Sequence, residues 1–160
     1  MPPPDRALIE RLRSLIARGE EPRAAGPAIP LAPSIDAGLP GGGLARGAIH
    51  ELLAPDPGAA TALAALILAR AGSPTIWIEP NPDPCPAGLA ELGLDPAALI
   101  VVRAEEAEAL WAAEESLRAP GVAGVLATLP RLDLATGRRL HLAAEAGGTL
   151  GLILRPDTPN

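Results

Sequence analysis

The apolar residues of this chain follow two different rhythms. Near the start, "DRALIERLRSLIAR" (5–18) sets Leu8, Leu12, Leu15 and Ile16 at helical spacing, with Ile9 beside them. That spacing predicts an amphipathic helix, with Asp5 placed to cap it and Glu10, Arg11, Ser14 and Arg18 on the other faces. "GEEPRAAGPAIPLAP" follows, and its prolines and glycines exclude a long helix or a central strand. It reads as an extended linker. "SIDAGLPGGGLARG" (34–47) is mostly turn, with three consecutive glycines that allow close backbone approach. Beyond it, short apolar runs alternate with helical segments. "AIHELL" (48–53), "TIWIE" (75–79), "LIVV" (99–102), "VAGVLAT" (122–128) and "TLGLIL" (149–154) predict strands, and helices are predicted over 58–71, 86–93, 104–118 and 134–146. Short apolar strands separated by helices pair in parallel, with helices on both faces. The pattern therefore predicts a doubly wound, mainly parallel α/β core over 34–160, preceded by a helix and linker over 1–33. The 58–71 helix is apolar almost all round and should be the most buried. The 104–118 helix should turn Leu110, Trp111 and Leu117 inward and its glutamates outward.

Composition narrows what such a core can do. The 160 residues suffice for one domain with a substantial interior, and with aromatics at 1% that interior must be built from Ala, Leu, Ile and Val. The longest apolar segment, around positions 62 to 69, is too short to span a membrane. Asp5, Arg6, Glu10 and Arg11 stand where a secretory signal would be apolar. A single cysteine, Cys85, excludes an internal disulfide and fits a reducing compartment, so the expectation is a cytoplasmic protein without membrane contact. All 13 basic residues are arginines, because the chain has no lysine, and the formal net charge is −6. That balance argues against strong autonomous binding to nucleic acid.

The missing lysine bears on the one place where chemistry would be expected. In a sheet of this kind the first strand-to-helix turn is an anion site, because backbone N–H groups and a helix N-terminus converge there. A working phosphate loop reads G-x-x-x-x-G-K-[ST], with glycines wrapping the phosphates, lysine neutralising them and a hydroxyl holding Mg²⁺. Here "APDPGAAT" places Ala54 at the first glycine, Ala59 after Gly58 at the second, and Ala60 at the lysine; Thr61 alone keeps its residue type. Asp56 adds negative charge, and Pro57 removes an amide donor. The Mg²⁺-binding acid expected at the end of a later strand is replaced by Ala127 and Thr128, and Asp133 lies beyond a proline. Glu79 could orient a water molecule but has no metal or phosphate to serve. The turn reads as a degenerate phosphate loop in a protein that is not an enzyme and uses no cofactor.

The remaining polar residues read as structural. Glu51 interrupts an apolar strand and should pair with Arg46 or turn amides. His50 and His141 have no ligating partners at metal spacing, so no metal site is expected. Cys85, between prolines, reads as a surface thiol. Glu105, Glu106, Glu108, Glu114 and Glu115 form a solvated helix face. Arg131, Arg138 and Arg139 form a surface patch, and Gly41, Gly42 and Gly43 shape a turn packed under the first strand.

"SIDAGLPGGGLARGAIHELLAPDPGAAT" resembles the segment leading into and through the phosphate loop of RecA recombinases. It is closer to the ImuA family of damage-inducible mutagenesis proteins, in which "LPGGG-x-x-RGA-x-HE" is typical. The resemblance continues through "TIWIEPNPDPCPAGLAELGLDPAALIVVRAEEAEALWAAEESLRAPGVAGVLA", in the order strand, acid, helix, "LG-x-D", strand, helix, strand, and covers about positions 5 to 155. It implies a RecA-like fold and a non-catalytic adaptor role in error-prone translesion synthesis. The implied partners are an ImuB-like polymerase homologue and an error-prone C-family polymerase, with RecA or a second copy as further candidates. It also makes Leu8, Leu12, Leu15 and Ile16 the candidate partner-binding face. The segment matching the first DNA loop of RecA is shortened to "PRLDLATG", and nothing after "RPDTPN" matches the second, so weak or no direct DNA binding is expected. "RGAIHELLAP" suits the SulA cell-division inhibitors equally, which leaves a SulA-like inhibitor as the alternative; a divergent ATPase is disfavoured by the missing lysine.

Overall fold

In the computed structural model, which describes residues 26–156, each of the five apolar runs forms a strand: β1 (Ala48–Ala54), β2 (Thr75–Glu79), β3 (Leu99–Arg103), β4 (Gly124–Thr128) and β5 (Leu150–Pro156). The expected helix over 5–18, with Leu8, Leu12, Leu15 and Ile16, lies outside the described residues. The helices are a single turn α1 (Pro33–Asp36), α2 (Pro57–Ala71), α3 (Pro86–Glu91), α4 (Glu106–Arg118) and α5 (Leu134–Gly147). Two 3₁₀ turns, Pro40–Gly42 and Pro96–Ala98, complete the set. A chain with 20 prolines can hold this much helix because five of these seven pieces begin on proline. At the first helical position proline's fixed φ fits, and its missing N–H would have had no partner.

The strands form one all-parallel sheet in the order β1-β5-β4-β2-β3. From β1 the chain crosses to β2 and then β3 by way of α2 and α3, which lie on one face. It returns to β4 and β5 by way of α4 and α5 on the other face. Under α2 the core joins Ala64, Ala65, Ile67 and Leu68 to Trp77, Leu126 and Leu152. Under α4 and α5 it joins Ala109, Ala113, Leu117, Leu140 and Ala144 to Ile78, Val125 and Ile153. Each central strand thus buries both of its faces, so its sequence shows an unbroken apolar run rather than alternation. β4 is buried from Gly124 to Ala127.

Two side-chain expectations do not hold. Trp111 does not face inward; it is 66% exposed, whereas Leu117 is buried and Leu110 half-buried. The inward line of α4 is Ala109, Ala113 and Leu117, one residue per turn, and Trp111 lies two positions off that line, on the far side. The small alanines let α4 sit close to the sheet, and that leaves no room for an indole. Glu51 does not pair with Arg46. β1 is an edge strand, so Glu51 is exposed and receives Nη1 of Arg155 at 2.6 Å, from a residue on the same face of β5. Arg46 instead donates to the Ala71 carbonyl at 2.9 Å, holding the start of β1 to the end of α2.

Candidate functional site

The carboxyl ends of the strands gather the residues that the sequence singled out. Ala54 ends β1, and Asp56 caps α2. Asp56 Oδ1 accepts the Gly58 N–H at 2.9 Å, while the Asp56 carbonyl accepts from Ala60 at 3.2 Å. Pro57 occupies the first helical position and has no N–H to give. Two of the first three amide positions therefore offer nothing to a phosphate, and a fixed carboxylate sits at the positive end of the helix. Gly58 and Ala59 are exposed and Thr61 is half-buried, but Ala60, at the lysine position, is only 4% exposed. The turn holds its own carboxylate at the mouth of α2.

Across the sheet, strand order reverses between β2 and β4, the place where ligands enter open α/β sheets. Glu79 ends β2 there, and Thr128 ends β4 beside it. Burial pushes the Glu79 carboxyl above its usual range, against smaller opposing effects from the Trp77 side chain, the Asp83 backbone and Thr128. Trp77 Nε1 and Thr128 Oγ1 are both buried without a well-formed hydrogen bond. Both stand near the Glu79 carboxylate and favour its ionised form. Composition and spacing flagged Glu79 alone; its two neighbours are brought to it by β2–β4 pairing, which no local pattern records.

On the opposite face, the loop from β4 to α5 has a cleft on each side. One, of about 620 Å³, has Leu110, Leu129, Pro130, Arg131, Asp133 and Thr136 among its walls. The other, of about 500 Å³, lies between β1 and α5, with Ile49, Leu134, Arg138 and His141 among its walls. Asp133 caps α5, accepting the Thr136 N–H at 2.7 Å, and that hydrogen bond holds its carboxyl below the usual range. Arg139 is drawn away from the other two arginines by Glu114, which also takes Arg118. Desolvation pushes the Glu114 carboxyl up, but the two guanidiniums together outweigh it and bring it below normal. The three arginines are thus not one patch: Arg131 and Arg138 stay at the loop while Arg139 braces α4 against α5. His50 contacts the Ala45 carbonyl, Cys85 is exposed just before α3, and Gly43 lies so near Ile29 that a Cβ would come 2.5 Å from its carbonyl oxygen. No metal-binding cluster occurs among the described residues, and none of their helices is long and apolar enough to cross a membrane.

With this geometry in place, comparison with known proteins is informative. No protein-family model matches the chain. It is, however, 41% identical over 132 residues, 76% of its length, to Protein ImuA of Caulobacter vibrioides strain NA1000 / CB15N, and equally so to that of strain ATCC 19089. Over that stretch the chain is similar to ImuA. It spans about half the length of those curated ImuA relatives, 54%. A weaker likeness, 35% over 82 residues, covers 51% of the chain and 49% of the cell division inhibitor SulA of Edwardsiella piscicida. The crystal structure of SulA from Pseudomonas aeruginosa superposes with a TM-score of 0.56 at 25% identity, covering 68% of this chain and 97% of that one. The chain is thus similar to ImuA in sequence and to SulA in fold.

Proposed function

We propose that this ImuA relative is a non-catalytic, RecA-like adaptor of an error-prone translesion synthesis complex. It acts through protein contacts in the cytoplasm and turns over no nucleotide. Its partners on this reading are an ImuB-like polymerase homologue and a C-family polymerase. The observation that carries the reading is the identity with ImuA across three quarters of the chain. The start of α2 supports it, because the lysine position is a buried alanine and the helix mouth holds Asp56. The test is deletion of the gene followed by measurement of mutations induced by ultraviolet light, together with co-purification of the tagged full chain. Induced mutagenesis should fall to the uninduced level, and an ImuB-like protein should co-purify. Phosphate release from ATP that rises with protein concentration through repeated purification would sink the non-catalytic part.

A SulA-like division inhibitor is the second reading, favoured by the superposition on SulA. It requires that overproduction produce long undivided cells while deletion leaves induced mutagenesis unchanged.

A further inference from the structure

A third cleft, of about 500 Å³, lies between β1 and α2. Leu31, Ile35, Leu44, Leu52, Leu63 and Ile67 line it, and Ile35 and Leu63 stay 47% and 42% exposed on its walls. Its polar lining residues are already engaged: His50 contacts the Ala45 carbonyl, and Glu51 pairs with Arg155. The clefts beside the β4–α5 loop, by contrast, contain Asp133 together with Arg131 or Arg138. The third cleft offers aliphatic surface, with its one carboxylate already paired. The chain also enters the fold at its side. Ile29 exchanges both backbone hydrogen bonds with Leu44, and Arg70 donates to the Pro30 carbonyl at 2.9 Å. The Leu31 N–H donates to Asp36 at 2.8 Å. Gly26, three residues before Ile29, stands against the Arg46 side chain just ahead of β1. Residues 1–25 are therefore tethered beside the wall that Leu31 and Leu44 form.

We propose that the occupant of this cleft is the chain's own segment 5–18, docked as a helix with Leu8, Leu12, Leu15 and Ile16 turned inward. Tether, apolar match and charge all select it. The stripe is aliphatic, like the cleft, and an isolated helix of 14 residues is marginal in water until such a face is covered. The segment is basic, with four arginines against two acids, whereas the rest of a chain of net charge −6 is strongly acidic. The eight steps from Arg18 to Gly26 span at most roughly 28 Å when extended, enough to bring the helix back over β1. Pro22 and the glycines at positions 19 and 26 stop the helix from running on and let the chain turn. A tether this short holds the helix at an effective concentration in about the millimolar range, above what a second copy reaches at micromolar concentration. The stripe is then covered by its own domain in the free protein. The adaptor reading does not rest on this contact and survives its failure.

The test uses the full chain, whose single cysteine is first removed by Cys85→Ser. Leu63→Cys is then combined in turn with Leu8→Cys, Leu12→Cys and Leu15→Cys, and each pair is oxidised at low micromolar concentration. Non-reducing electrophoresis and intact mass read the products. At least one pair should close an internal disulfide in the monomer at a rate independent of protein concentration, since the bond needs the two cysteines in contact. Moving the second cysteine to Leu142→Cys, on the exposed side of α5, should slow closure about tenfold or more. Ile35→Glu on the cleft wall should slow it by a similar factor. Ile35, Leu63 and Leu142 are all exposed, and a cooperative melt by circular dichroism checks that each variant is folded. Covalent dimers whose share grows with concentration would give the cleft to the helix of a second copy and overturn the proposal. Equal closure at Leu63→Cys and Leu142→Cys, closure indifferent to Ile35→Glu, or no closure in any pair would overturn it as well.

Discussion

Glu79 sits half-buried beside Trp77 and Thr128, and the consequence is a dependence on pH. Its folded-state pKa lies above the unfolded value, so the native state holds this proton more tightly than the unfolded chain does. The stability it contributes is fully present below the unfolded pKa and is lost as pH rises through the folded pKa. Glu114 and Asp133 run the other way: their contribution is present above the unfolded pKa and lost as pH falls through the folded one. Glu79→Gln should therefore gain in Tm relative to the unmodified protein between about pH 4 and pH 7. Thermal melts at both pH values check this, and a variant that tracks the parent at both would show that the carboxylate is not desolvated. Glu79 could be read in the sequence as an acid ending a strand. Its surroundings could not, because Thr128 is 49 positions away and arrives only through sheet pairing. Glu51 was misjudged for a related reason: an apolar run does not say whether its strand is central or at an edge.

Helices α2, α4 and α5 turn small residues to the sheet, and here the sequence was legible in outline but not in detail. All five strands and four of the helices follow from where apolar runs and turn residues fall. The inward face of α4 did not, because periodicity weights a large tryptophan over two alanines, while the sheet needs close approach more than it needs bulk. The same closeness governs the end of α5. A Cβ at Gly147 would lie 2.1 Å from the Leu117 carbonyl oxygen and 3.0 Å from Thr149 Oγ1, so this glycine is the point where α5 touches the end of α4. Gly147→Ala must push the two helices apart and should cost about 1–3 kcal/mol or more. Its neighbour Gly148 has φ +68° and nothing within 4 Å of a Cβ, so Gly148→Ala carries backbone strain alone, about 1–2 kcal/mol. Urea denaturation of both variants distinguishes crowding from strain. If Gly147→Ala is the milder of the two, the helices have slack that this packing does not allow.

At the scale of the whole molecule the charge is unfavourable for polyanions, and the arginines are dispersed. Arg46, Arg70, Arg118, Arg139 and Arg155 are bound to carbonyls or carboxylates of the protein itself. Single-stranded DNA should therefore bind weakly and lose that binding steeply as salt is raised. Fluorescence anisotropy at near-physiological salt checks this; sub-micromolar affinity for the isolated protein contradicts it. The parallel, two-faced architecture was legible from the alternation of strands and helices, whereas the strand order was not, since order depends on which helix crosses which face. The capped mouth of α2 has a consequence at this scale too. Proteins that grip a nucleotide at such a place have two states, loaded and empty, and can be told when to let go. On the adaptor reading proposed above, a helix that carries its own aspartate in that position has one state. An adaptor of that kind keeps no clock: how often it meets its partners is set by how many copies the cell has made.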